Sequence, residues 1–280
     1  MKFLVTASLI VLFCSCIQKK KNIHKKREAR NVGTRIYSQE FQSILDNTKL
    51  EGSILIYDFQ KDSYYSNDFE WANTGKLPAS TYKIPNSIIA LETGIVENDR
   101  TVLKWDGEPR ALSIWEQDLK FRQAFQFSCV PCYQNIARRI GSDKMNDYLA
   151  RLEYGDMKVA TSNIDMFWLE GDSKINQFQQ INFLKRLYQK KLPISKRTDT
   201  IMRRLMVIEE NETYTLSGKT GWSISKGNNN GWFVGYIEKE NSVYFFSSNV
   251  EPVGEFDQDF FIRARKEIIY KALKHLEVIE

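Results

Sequence analysis

A hydroxyl and an amine stand three positions apart in Ser80-Thr81-Tyr82-Lys83. On a helix, positions i and i+3 share a face, so the Ser80 oxygen and the Lys83 nitrogen can meet. A serine hydroxyl becomes a useful nucleophile only when a base within hydrogen-bond reach takes its proton. The chain has two histidines, His24 in a run of lysines and His275 near the C-terminus, so a Ser-His-Asp relay has almost nothing to draw on. Activation of Ser80 therefore falls to Lys83 or to a carboxylate. Ser-x-x-Lys is also a common coincidence, and it recurs as Ser223-Ile224-Ser225-Lys226. That copy runs into Gly227-Asn228-Asn229-Asn230-Gly231, a turn composition with no helix to hold the pair together.

The elements around the first copy follow from local chemistry. Pro85 lacks a donor and clashes one turn back, so Ser80 must lie at the opening of its helix, where free backbone N–H groups point at bound negative charge. Ile88, Ile89, Ala90 and Leu91 continue that helix, and Thr93-Gly94 ends it with a C-cap glycine. Residues 52–58 and 63–67 read as a strand and its hairpin partner. Residues 95–212 are mostly helical in pattern, with expected helices at 113–126, 133–141, 142–152 and 176–190. Strand character returns at 214–221, 231–237 and 242–247, the last two turning at 238–241. Their nearly unbroken apolar runs predict central strands covered on both faces. An amphipathic helix over 257–277 closes the chain, with Phe261, Ile268, Ile269, Ala272 and Leu276 on one side. This order predicts an α+β fold: an antiparallel sheet lobe built from both chain ends, with an all-α lobe inserted and a ligand cleft between.

At 280 residues, with 42% hydrophobic and 13% aromatic content, the chain can bury an enzyme-sized core. The net charge of +5 is unevenly placed: residues 19–30 carry +6 and Lys2 one more, leaving about −2 for the rest. A nucleic-acid groove is thereby excluded, and residues 17–34 read as a basic tether near an anionic membrane surface. Residues 1–16 read as an export signal, too short in its apolar part to span a bilayer. They also resemble a bacterial lipoprotein signal with Cys16 as the lipidated residue, although Phe13 and Cys14 depart from that pattern. The expected location is the periplasm, with a lipidated N-terminus as a membrane tether. Cys129-Val130-Pro131-Cys132 has no second Cys or His cluster to complete a zinc site. Two buried, apolar-like cysteines are expected there, with a redox disulfide as the alternative.

Lys219-Thr220-Gly221 gives the Ser80 pair its context. Gly218-Lys219-Thr220 imitates the end of a phosphate loop, but the first glycine of that motif would fall on Thr213, so the P-loop reading fails. Ser-x-x-Lys on a helix with Lys-Thr-Gly far downstream on a strand is instead the signature of serine β-lactamases and penicillin-binding proteins. Ser128-Cys129-Val130, Tyr154-Gly155-Asp156, Trp168-Leu169-Glu170-Gly171 and Gly231-Trp232-Phe233-Val234-Gly235 follow in order. Through these motifs the chain resembles the class D β-lactamases, the oxacillinase family, over essentially everything after about residue 35. Two departures stand out: Asp156 where the family usually has Asn, and Cys129 with Cys132 where apolar residues are commoner.

The resemblance implies the serine β-lactamase fold over residues 35–280 and a carbamate on Lys83, formed with CO₂ and with no other cofactor or metal. Carboxylation needs a neutral amine, hence an apolar pocket, which Val130, Trp168 and Leu169 would line with the Trp168 N–H as donor. The carbamate would deprotonate Ser80 and later activate water. Backbone N–H groups of Ser80 and Trp222 would form the oxyanion hole, and Ser128 with Lys219 would relay the proton to the leaving nitrogen. For the substrate carboxylate, helical phase favours Arg265 over Arg263, because Arg265 shares a face with Phe261, Ile268, Ile269 and Ala272. Thr220 and Gly221 would complete that subsite. The expected function is hydrolysis of β-lactam antibiotics such as penicillins, conferring resistance. The rivals are a penicillin-binding sensor that stays acylated, a cell-wall peptidase, and a lipoprotein that merely inherited the fold. Sensors carry membrane helices and a protease domain ahead of this domain, and Trp168-Leu169-Glu170-Gly171 speaks against a peptidase. The range of β-lactams admitted depends on loops near Trp115 and 222–231 and, like the oligomeric state, is left open.

Overall fold

The computed structural model describes residues 33–280; the expected leader, Cys16 and nearly all of the basic tether lie outside them. Nine strands are seen among the described residues: β1 Thr34–Tyr37, β2 Leu50–Asp58, β3 Ser63–Ser66, β4 Val102–Leu103, β5 Leu119–Lys120, β6 Val207–Glu210, β7 Thr215–Ser225, β8 Asn228–Lys239 and β9 Ser242–Pro252. Seven of them form one sheet in the order β1-β3-β2-β9-β8-β7-β6, so the N-terminal and C-terminal thirds of the chain meet at the antiparallel β2·β9 pair. The α-helices among the described residues are α1 Gln39–Asp46, α2 Phe69–Asn73, α3 Lys83–Glu92, α4 Phe121–Gln126, α5 Val130–Ile140, α6 Ser142–Leu152, α7 Gln177–Tyr188, α8 Lys196–Met206 and α9 Gln258–His275.

Alternation along β8 explains how one sheet serves two cores. Trp232, Val234 and Tyr236 join the apolar cluster that holds Ile88, Tyr133, Leu184 and Met202 of the inserted helices. Phe233 and Ile237 join the other cluster, with Phe41 and Ile44 of α1 and Ile268 and Ala272 of α9. The sheet is therefore covered on both faces, as its continuous apolar runs require. Helix starts are set by side-chain caps. Ser38 accepts the Phe41 N–H, Ser195 the Thr198 N–H and Asp257 the Phe260 N–H, while Asn176 and Gln179 cap α7 reciprocally.

Three local expectations are corrected. A continuous helix over 113–126 does not form: Ser113–Trp115 is a single 3₁₀ turn, and β5 pairs with β4. The Phe121 and Arg122 N–H groups are taken by the Thr101 and Asp99 carbonyls, so pairing with an earlier segment of the chain replaces the helical ladder there. The helix expected at 133–141 begins three residues earlier, because Cys129 caps it through its sulfur. Finally, Cys129 and Cys132 are not free thiols but a disulfide. Their i, i+3 placement at a helix start puts both side chains on one side, with Cα atoms 5.4 Å apart, inside the range a disulfide spans.

The centre of the sheet depends on a glycine pair. Gly218 of β7 lies opposite Gly235 of β8, and a Cβ on Gly235 would sit 2.1 Å from the Ser217 carbonyl oxygen and 2.6 Å from Phe246. Gly235→Ala is expected to lower stability by about 3 kcal/mol through overpacking between two strands that cannot spread. Denaturant unfolding measures this; a loss under about 1 kcal/mol would mean that the sheet yields there.

Candidate active site

Ser80 sits in a 3₁₀ turn, Ala79–Tyr82, that runs directly into α3. Ala79 adopts a left-handed φ of 50°, uncommon for a residue with a Cβ, and its N–H donates to the Trp168 carbonyl at 2.8 Å. The approach to this turn is held from the sheet. Asn230 Nδ2 and Trp232 Nε1 both donate to the Leu77 carbonyl at 2.8 Å. Asn230 in turn accepts from Asn249, and Asn249 from the Trp71 indole, so a buried polar chain crosses β9 and β8 to reach the segment before the serine. Gly221 of β7 packs against the same turn: a Cβ there would lie 3.2 to 3.3 Å from Thr81, Ala79 and the Pro78 carbonyl. That close approach brings the end of the Lys-Thr-Gly motif beside Ser80.

Lys83, at the first position of α3, is buried, and its Nζ lies within hydrogen-bond distance of Ser80 Oγ at 3.0 Å. Burial pushes the Lys83 amine down to about 7, so a large neutral fraction exists at physiological pH. The Tyr133 ring lies 5.1 Å from Nζ. Trp168 is fully buried and stacked on Tyr82, and its indole N–H finds no acceptor among the described residues. An unmade bond at a buried donor is costly, so the pocket is suited to an added acceptor. Leu169 packs partly buried against the same apolar cluster, and Val130 is half-buried at the start of α5.

Ser128 joins from the helical lobe with a left-handed φ of 54°. Lys219 Nζ donates to Ser128 Oγ at 3.1 Å and to the Thr220 carbonyl at 3.0 Å. Burial, then the charges of Lys83, Arg265 and Lys266, hold the Lys219 amine well below its usual value. Arg265 is buried on α9 while Arg263 is exposed, as helical phase requires. Its guanidinium donates to the carbonyls of Gly221 and Ile262, and burial lowers it only to about 10, so it remains a cation at neutral pH. The Trp222 side chain faces α9, with its ring against Phe261 and its N–H on Asn229, so any oxyanion role there belongs to its backbone.

Other candidates separate from this cluster. Ser223 is buried on β7 while Lys226 lies in the following turn at φ 51°, which breaks the second Ser-x-x-Lys pair. Glu170 is exposed. Asp156 exchanges backbone hydrogen bonds with Lys174 at 2.8 Å, and its carboxylate pairs outward with Lys158, so Asp in place of Asn is accommodated at the surface. Several supporting residues had no sequence motif to announce them. Tyr133 lies three positions after Val130 on α5, and Gln180 of α7 donates to Thr81 Oγ and lies within reach of the Tyr154 hydroxyl.

Residues 47–274 match the penicillin binding protein transpeptidase domain family. The chain is 40% identical over 233 residues to the β-lactamase OXA-10 of Pseudomonas aeruginosa, covering 82% of this chain and 86% of that one. It is 38% identical over 203 residues to OXA-48 of Klebsiella pneumoniae, covering 72% and 76%. Among solved structures, the class D β-lactamase YbXI from Nostoc superposes with a TM-score of 0.81 at 42% identity, covering 85% of this chain and 98% of that one. A class D β-lactamase from Sebaldella termitidis gives 0.83 at 34% identity, covering 89% and 100%. With the Ser80, Lys83, Ser128 and Lys219 cluster on a matching fold, the chain belongs to the class D β-lactamases, serine hydrolases of the penicillin-binding-protein transpeptidase fold.

Proposed function

We propose that the protein hydrolyses β-lactam antibiotics, penicillins among them, through an acyl-enzyme on Ser80 with N-carboxylated Lys83 as general base, and so confers resistance on its host. The observation that carries this reading is the buried Lys83 amine, 3.0 Å from Ser80 Oγ and pushed down to about 7. A neutral amine adds CO₂ and releases one proton, and the resulting carbamate supplies the general base. The unpartnered Trp168 N–H is a suitable donor to it.

Arg265, Thr220 and Gly221 orient the substrate by its carboxylate. Ser80 Oγ attacks the lactam carbonyl carbon, and the backbone N–H groups of Ser80 and Trp222 stabilise the oxyanion. The ring C–N bond then breaks, and Ser128 passes a proton to the departing nitrogen while Lys219, hydrogen-bonded to it, keeps that transfer electrostatically favourable. Water attacks the ester carbonyl as the carboxylated Lys83 side chain takes its proton, and that proton passes to Ser80 Oγ when the acyl C–O bond breaks. Export to the periplasm, with Cys16 as an anchor point, completes the proposal; mass measurement of the mature N-terminus tests it.

Steady turnover of a chromogenic β-lactam is expected, and a single stoichiometric burst would instead mark a sensor. Removing CO₂ should lower the rate and bicarbonate should restore it. Because only the neutral amine, with its pKa of about 7, is carboxylated and each carboxylation releases a proton, the dissolved CO₂ needed for half-maximal activity should rise on the order of a thousandfold between pH 8 and pH 6, about tenfold from the amine and the rest from the released proton. A CO₂ requirement that ignores pH, or activity lost in Glu170→Gln and indifferent to CO₂, would remove Lys83 as base. Trp168→Phe keeps a ring and deletes the donor; it should raise the CO₂ requirement and slow deacylation about tenfold or more, with acylation less affected. Equal slowing of both steps, measured by pre-steady-state kinetics, would confine the indole to packing.

A further inference from the structure

The Cys129–Cys132 disulfide starts from the residue between Ser128 and Val130, and none of the chemistry above uses it. Cys129 is buried and Cys132 is partly exposed. The pair occupies the N-terminus of α5 with Pro131 between, and the Cys129 sulfur accepts the Cys132 backbone N–H at 3.2 Å. A thiolate left on Cys129 therefore meets a backbone donor and the positive end of an 11-residue helix, both of which make that sulfur a good leaving group. Beside it opens a cleft of about 660 Å³ walled by Pro131, Cys132, Asn135, Arg139 and Trp115, large enough for a molecule of a few hundred daltons. Trp115 also donates its indole N–H to the Phe127 carbonyl, next to Ser128.

We propose that this disulfide is a thiol–disulfide exchange site for low-molecular-weight thiols, entered through Cys132, and that opening it slows the reaction run through Ser128. The small thiolate attacks the Cys132 sulfur, the S–S bond breaks, and its electron pair leaves on Cys129. A second thiolate attacks the attached sulfur, frees Cys132 and departs as the small-molecule disulfide. Two thiols are oxidised to one disulfide, the protein disulfide is reduced to two thiols, and the protons of the small thiols end on the cysteines.

The coupling to catalysis is geometric. Ser128 holds its left-handed backbone immediately before the bridged segment, and without the bridge its register rests on the Ser128 and Cys129 N–H bonds to the Phe125 and Ala124 carbonyls, at 3.2 and 2.9 Å. Ser128 Oγ, which receives Lys219, is then less narrowly positioned. The activity arm rests on the hydrolase reading above, whereas the exchange arm does not.

The test treats the folded protein with reduced glutathione, alkylates with iodoacetamide without denaturant, and maps the peptides by mass. The expected result is a glutathione adduct on Cys132, then two alkylated cysteines at 129 and 132, with β-lactam turnover reduced on the order of fivefold; a reduced sample that is not alkylated should regain turnover on reoxidation. Cys129→Ala with Cys132→Ala should show turnover that glutathione does not change. Adducts that form only after unfolding, or on Cys129 first, overturn the exchange site whatever the turnover. Full turnover by the doubly alkylated protein overturns the coupling.

Discussion

The buried amine of Lys83 is the constraint around which the structure is arranged. A lysine next to a serine in water would be a protonated cation and no base at all. Burial beside Tyr133 brings that amine down to about 7, and burial also leaves the Trp168 N–H without an acceptor among the described residues. Both features are unfavourable for folding in isolation, and both suit a site that gains an anion on Lys83. Lys219 adds to the burden, since it is buried within the fields of Lys83 and Arg265. Three basic side chains are thus buried at one seam, and the apolar clusters on either side of the sheet must supply the offsetting stability.

That seam is built from segments far apart in sequence, so its accuracy comes from the sheet. Register fixes Lys219 opposite Val234 and Gly221 opposite Trp232, and the missing side chain at Gly221 lets the strand touch the Ser80 turn. The helical lobe contributes Ser128 through the tight bend at the start of α5, and the C-terminal helix contributes Arg265, tied to the Gly221 carbonyl. Each lobe therefore supplies groups that the other lacks.

Much of this was legible in the sequence because family motifs restrict residue types. Few residues can replace Ser80, Lys83, Ser128 or Lys219, and their spacing along helix and strand carries the pattern. Arg265 was legible for a different reason: helical phase alone separates it from Arg263. The rest depends on contacts between distant segments. No local rule marks Ala79 for a left-handed backbone, since the carbonyl it serves belongs to Trp168. Asn230, Asn249 and Gln180 read as ordinary polar residues until register gives them partners. The 113–126 stretch had helical composition, but the carbonyls of Thr101 and Asp99 compete for its donors. The cysteine pair was misjudged because spacing records proximity and not oxidation state.

The polar chain from Trp71 through Asn249 and Asn230 to the Leu77 carbonyl bears on how this sequence can drift. Each member satisfies its neighbour away from water, so a lone replacement strands a donor or acceptor, while simultaneous replacement by apolar residues of similar shape can be nearly neutral. Fitness effects at these positions are then strongly epistatic: substitutions at 71, 230 and 249 are tolerated as a set and rejected one at a time. Because the chain ends on the backbone beside Ser80, neutral wandering of the sheet interior is tied to the position of that serine, and lineages should change these residues together or keep them all.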